Sequence, residues 1–270
     1  MRVDDHTISL DDSPVFYRSA RPQGTPCLYV HGIPTSSDDW IAFLETAGGV
    51  APDLIGFGRS GKGGHLDYSA AGLAEFLASL RDHLQLNEVN LVAHGWGSLV
   101  ALRFAIADPE RVSKLVLVSP PAVLPGFGWT WFQRAWRRRV VGELLMGSTT
   151  RGLLARGLRR ASASPAAWPH NRVEAVWQQF DQGTQRAILR WQRGWDPAQA
   201  EALAADLGRL PMPALVLWGD RDPWCGPELA EAYATRLPQA TLQLVAGAGH
   251  WPWLDDRQVV GRVSGWLAGS

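Results

Sequence analysis

The stretch Leu91-Val92-Ala93-His94-Gly95-Trp96-Gly97-Ser98 runs an apolar strand straight into an amphipathic helix. A chain that reverses from strand to helix within about four residues needs small side chains where the backbones cross. It also forces one central residue into a strained backbone conformation. Gly95 is that central residue. Such a turn lifts the central side chain clear of the sheet and beside the first amides of the helix, where a nucleophile is well placed to attack. Glycine offers no atom for that attack.

The rest of the chain alternates strands and helices around this turn. A hairpin is expected from about His6 to Arg18, turning at Asp11-Asp12-Ser13-Pro14. Apolar runs predict strands at Cys27–Val30, Gly49–Leu54, Val89–Ala93, Leu115–Val118, Ala214–Trp218 and Thr241–Val245. Helical spacing is kept by Leu73, Phe76, Leu77, Leu80 and Leu84, and helices are also expected over Trp96–Ala107, Glu228–Arg236 and Arg257–Leu267. Strand–helix–strand units with short links require right-handed crossovers. The expected fold class is therefore α/β, a mostly parallel eight-stranded sheet with helices on both faces.

The alternation breaks after Pro120-Pro121, and about eighty residues follow with no predicted strand. This divides the chain into core residues 1–121, an inserted helical cap at 122–205, and core residues 206–270. An insertion at the C-terminal ends of parallel strands covers the usual ligand crevice. Over the whole chain Lys plus Arg and Asp plus Glu are 26 each, which gives no reason to expect nucleic-acid binding. Between Ala122 and Asp196, however, twelve arginines stand against Glu143, Glu174, Asp181 and Asp196, a net charge of +8. Seven of the 14 tryptophans lie there as well. Cys27 and Cys225 form no pairing or metal-binding pattern, so no metal and no cofactor are expected. With no signal design and no apolar run near the ~18 residues of a membrane span, a cytoplasmic protein is the expectation.

Chemistry is expected at the strand ends. Asp222, in Gly219-Asp220-Arg221-Asp222-Pro223, and His250, in Gly247-Ala248-Gly249-His250-Trp251, follow the turn in the order of elbow, acid and histidine. An aspartate that accepts from one imidazole nitrogen fixes the tautomer and leaves the other nitrogen free to take a proton. Asp220 is the weaker acid candidate and better suited to capping its turn. In His31-Gly32-Ile33-Pro34 the imidazole of His31 reads as structural. The backbone N–H groups of Ile33 and Trp96 are the expected oxyanion donors.

These segments, with Pro52-Asp53-Leu54-Ile55-Gly56-Phe57-Gly58-Arg59-Ser60, resemble the α/β-hydrolase superfamily, and within it haloalkane dehalogenases and epoxide hydrolases. The resemblance implies that Gly95 stands where an aspartate nucleophile belongs. It also implies that Ile33 stands where many dehalogenases carry a halide-binding asparagine, while Trp96 keeps the other halide-holding position. Ala93 replaces the glycine usual two residues before a serine nucleophile, which points to an aspartate ancestor. Ser98 lies about one turn into the helix and does not substitute for the missing group.

Gly95 relieves strain on the order of 1–3 kcal/mol that a nucleophile would impose. Two readings follow. In the first, Asp222 and His250 activate water beside Gly95 to hydrolyse a lipophilic ester, lactone, epoxide or halide. In the second, the chain is an inactive homologue that binds a ligand or partner, or an engineered nucleophile knock-out of a dehalogenase-like enzyme. Arginines interleaved with aromatics from Phe127 to Arg139 suit pocket lining with solvated charges. They equally suit docking to an anionic membrane surface or an acidic carrier protein.

Overall fold

Along β3 (Cys27–Val30) every side chain is buried, and successive residues serve opposite faces. Leu28 and Val30 enter one apolar layer, Cys27 and Tyr29 the other. This is the period of two that a strand imposes, and the neighbouring strands repeat it. The computed structural model describes residues 1–121, 123–125, 129 and 131–269. Ala122, Gly126, Phe127, Gly128 and Thr130, which the expected cap includes, lie outside the described residues.

The chain opens with the hairpin of β1 (Asp4–Leu10) and β2 (Ser13–Ala20). Its turn holds Asp11 and Asp12 at φ 50° and 60°, the left-handed pair that matches the twist of the flanking strands. After β3 come α1 (Ile41–Ala47), β4 (Gly49–Pro52), α2 (Ala70–His83), β5 (Val89–His94), α3 (Gly97–Ala107) and β6 (Val112–Val118). Six helices follow: α4 (Trp131–Arg137), α5 (Val141–Gly147), α6 (Arg151–Arg160), α7 (His170–Gln179), α8 (Gln182–Gly194) and α9 (Pro197–Leu207). The last runs across residue 205. The chain then returns to the sheet with β7 (Ala214–Gly219), α10 (Pro227–Ala234), β8 (Ala240–Val245), α11 (Pro252–Asp255) and α12 (Gln258–Ala268).

The sheet has eight strands in the order β1-β2-β4-β3-β5-β6-β7-β8. β1, β2 and β4 pair antiparallel, and β4 through β8 are parallel. Leu73 and Leu77 of α2, Val100 of α3 and Tyr233 of α10 pack on one face. Phe43 of α1 and Val259 and Val263 of α12 pack on the other. This is the α/β-hydrolase architecture. Among the described residues no helix is long and apolar enough to cross a membrane.

The short helical turn Ser37–Trp40 ahead of α1 buries a carboxylate, Asp39, beside Trp251, whose indole N–H lies 3.4 Å from it. Burial pushes the Asp39 carboxyl up to about 6, against the opposing pull of the Thr35 hydroxyl and the Arg172 charge. A folded pKa raised above the unfolded value means that folding takes up a proton between about pH 4 and pH 6. Stability conferred below that window is lost as pH rises through it, on the order of 3 kcal/mol at 1.36 kcal/mol per unit. The Asp39→Asn variant, neutral throughout, is expected to match the parent below about pH 4. It should exceed the parent in urea midpoint above about pH 6; equal midpoints at every pH would refute this.

Candidate active site

The elbow is built by two glycines doing different jobs. Gly95 holds φ +51°, in the left-handed region, with its N–H donated to the Val118 carbonyl at 3.0 Å. At Gly97 the first turn of α3 crosses β3 so closely that a Cβ would lie 2.2 Å from the His31 carbonyl oxygen. Any larger residue there would push the helix off the sheet. A Cβ built on Gly95 would instead face the imidazole of His250, 3.3 Å from Nε2, with the Gly32 Cα 3.9 Å away. The absent side chain therefore points at the histidine.

His250 Nδ1 donates to Asp222 Oδ2 at 2.6 Å, and both side chains are buried. Asp222 Oδ1 accepts the backbone N–H groups of Trp224 at 2.9 Å and Cys225 at 3.3 Å. The carboxylate is thus held by its own loop and is free to orient only one partner, the imidazole. Because Nδ1 carries the proton, the lone pair of Nε2 is directed toward the elbow. Asp220 goes elsewhere: its carboxylate accepts the Gly247 N–H at 2.7 Å and fastens the two loops at their base.

On the opposite wall, His31 Nε2 accepts the Leu54 N–H at 3.0 Å, which leaves Nδ1 to donate to the Gly32 carbonyl at 2.7 Å. Burial lowers its pKa, so the ring stays neutral and fastens the loop after β3 to the loop after β4. The same loops are joined by the buried Asp53 carboxylate, which accepts from Ser37 N–H at 2.8 Å and from Arg59 Nε at 2.8 Å. In the loop so held, the Ile33 N–H meets no acceptor among the described residues, and neither does the Trp96 N–H at the helix start. Trp96 stacks on Trp129 at 6.2 Å and meets Trp191 edge-on at 6.1 Å. Aromatic rings thus wall the site on the side of the inserted helices. Ser98 is buried in the first turn of α3, and its hydroxyl meets no hydrogen-bond partner among the described residues.

Three contributors are assigned no role from the sequence, although the first lies within the elbow stretch itself. His94, the last residue of β5, donates Nε2–H to the His250 carbonyl at 2.9 Å, and its ring lies 4.7 Å from that of His250. Burial, with His250 beside it, holds its pKa well below the ordinary histidine range. Ala161, at the end of α6, accepts the His250 N–H at 2.7 Å. The Asp255 carboxylate accepts from Gly249 at 2.8 Å, Ala163 at 3.0 Å and Ser164 at 3.1 Å. The histidine loop is therefore hung between β5 and the inserted helices, which ties the position of the base to the seating of the insertion. Among the described residues no cluster of His, Cys, Asp and Glu is arranged to hold a metal ion.

A buried Asp–His pair at the ends of β7 and β8, an elbow after β5 and two amides beside it that meet no acceptor among the described residues match the layout of one large family. The sequence profile described as alpha/beta hydrolase fold matches residues 25–256. The chain belongs to the α/β-hydrolase fold family. Among relatives of this α/β-hydrolase, a haloalkane dehalogenase of Mycolicibacterium paratuberculosis is 31% identical over 238 residues, 80% of this chain and 72% of the relative. Epoxide hydrolase 2 of Caenorhabditis elegans is 26% identical over 264 residues, 88% of this chain and 72% of the relative. The crystal structure of haloalkane dehalogenase DbeA from Bradyrhizobium elkani superposes with a TM-score of 0.84 at 25% identity, covering 99% of this chain and 98% of that one.

Proposed function

We propose that this α/β-hydrolase hydrolyses a lipophilic small molecule, an ester, lactone or epoxide in preference to a halide, without a side-chain nucleophile. One observation carries the reading: the lone pair of His250 Nε2 faces the space where the nucleophile's side chain would begin, while Nδ1 stays bound to Asp222. Water in that space would lose its proton to Nε2 as its oxygen attacks the electrophilic carbon. The developing oxyanion, or the alkoxide of an opened epoxide, would be held by the amides of Ile33 and Trp96. The imidazolium then returns its proton to the leaving oxygen. Haloalkanes suit this site least, because direct displacement needs a strong nucleophile and Ile33 supplies no side-chain donor to the departing halide. The helices of residues 122–205 would act as the cap over the substrate.

The test is turnover of a panel of lipophilic esters, lactones, epoxides and haloalkanes, followed by one turnover in heavy-oxygen water with protein in excess. The expected product takes its new oxygen wholly from solvent in that first turnover. An ordinary-oxygen product would reveal a covalent ester on an enzyme carboxylate and overturn the water mechanism. No turnover of any class would leave the chain a binding protein.

A further inference from the structure

Six of the ten exposed large hydrophobic side chains among the described residues fall between positions 131 and 153: Trp131, Val140, Val141, Leu144, Leu145 and Leu153. Trp131 is 77% exposed, Leu144 69% and Val140 68%, so most of each side chain faces solvent. Isolated exposed apolar residues are ordinary, whereas a concentration of them marks an interaction surface. The periodicity fits that view. Val141, Leu144 and Leu145 share one face of α5, while Gly142 and Met146 turn inward. On α6, Leu153, Arg156 and Arg160 share an exposed face, with Ala155 and Leu158 buried behind it.

The charge on this surface has one sign. Residues 131–160 contain eight arginines and a single acid, Glu143, which is occupied by Arg193 at 2.7 Å. Arg134, Arg138, Arg139, Arg156 and Arg160 are exposed and form no ion pair among the described residues. At the corner between α4 and α5, Val140 holds φ +68°, a conformation that a β-branched residue resists and that glycine or asparagine would adopt readily. Neither solubility nor an undemanding turn explains an exposed valine in that state. Backbone strain of this kind persists where a function requires it.

We propose that the outer face of α4, α5 and α6 docks onto an anionic lipid bilayer. Val140, Val141, Leu144 and Leu145 would enter the headgroup boundary, and the unpaired arginines around them would meet lipid phosphates. The exposure of Val140, Val141, Leu144 and Leu145 beside unpaired arginines favours lipid over an acidic protein surface, because exposed apolar side chains find acyl chains in a bilayer without needing a shaped pocket. The surface belongs to the inserted helices that also hold His250 through Ala161, so docking would bring the candidate site close to lipophilic substrate dissolved in the bilayer. The docking itself is independent of which electrophile the site takes.

The experiment is co-sedimentation of the full chain with phosphatidylcholine vesicles, with and without phosphatidylglycerol, at low and high salt. Binding is expected only where phosphatidylglycerol is present, and is expected to weaken at high salt. Two variants divide the contributions: Leu144→Ser with Leu145→Ser removes the apolar anchors without changing charge, and Arg138→Ser with Arg139→Ser removes charge. Each pair is expected to weaken vesicle binding about tenfold or more. All four side chains are exposed, so the melting temperature should stay with the parent. Indifference of the parent to anionic vesicles, or equal binding by parent and both variants, overturns the proposal. Binding to polyglutamate that survives Leu144→Ser with Leu145→Ser, with vesicles ignored, would assign the face to an acidic protein instead.

Discussion

Replacing His250 with alanine is expected to lower turnover of the best panel substrate by about 10²- to 10⁴-fold, the range that a positioned general base supplies. The size follows from the absence of any substitute. Nε2 is the nitrogen that faces the elbow; Asp222 is committed to Nδ1 and to two loop amides, and Asp220 to the Gly247 N–H. His94 is buried, with Nε2 already donating to a carbonyl, so it cannot take over. The amides of Ile33 and Trp96 remain in His250→Ala and should sustain a small residual rate. Asp222→Asn is the informative companion. It leaves the volume unchanged but removes the acceptor that fixes the imidazole tautomer, and is expected to lose most of the same activity. The measurement is kcat/KM for parent and both variants, with thermal melting as the folding control. Activity retained in a folded His250→Ala protein would show that the Asp–His pair does not drive the chemistry.

Much of this was legible in the sequence, and the boundary of legibility has a physical cause. The buried strands announced themselves as apolar runs, and β3 occupies its expected residues, Cys27–Val30. β6 begins at Val112 rather than Leu115, because Val112-Ser113-Lys114 has two polar residues in succession and no apolar run, and is drawn into the sheet by pairing with β5, from Val89 onward. α1 escaped notice because it is one short helix of seven residues whose buried side chains, Phe43 and Leu44, do not repeat over a second turn. The elbow, Asp222 and His250 were recognisable from local patterns, since each sits in a glycine-bearing strand-end loop. The supports of His250 were not. Ala161 contributes a carbonyl, which any residue could supply. Asp255 holds backbone amides some ninety positions earlier in the chain, at Ala163 and Ser164. Such contacts are made by tertiary proximity and leave no mark on spacing or composition.

Placing aspartate at Gly95 is expected to create haloalkane turnover that the parent lacks, at the expense of stability. The stability term comes from φ +51° and from the 3.3 Å between the new Cβ and His250 Nε2. Aspartate tolerates the left-handed region better than most residues, so the loss should fall within about 1–3 kcal/mol. To make room, the imidazole must retreat by a few tenths of an ångström. It is bound to Asp222 and flanked by Trp224 at 4.6 Å and Trp251 at 4.9 Å, so the whole loop has to give, against its bond to Ala161. Once accommodated, the carboxylate can attack the carbon of a primary bromoalkane as bromide leaves toward Trp96, forming an alkyl ester that His250-activated water then hydrolyses. Adding Ile33→Asn supplies a second halide donor and should raise the rate further, by up to about 10² if it acts as strongly as one oxyanion-hole donor. Bromide release measures turnover. Combining Gly95→Asp with His250→Ala should stop the cycle at the ester and leave an alkyl adduct visible by mass spectrometry. A folded Gly95→Asp protein that neither releases bromide nor, with His250→Ala, retains an adduct would mean that the elbow no longer presents its central side chain to a substrate.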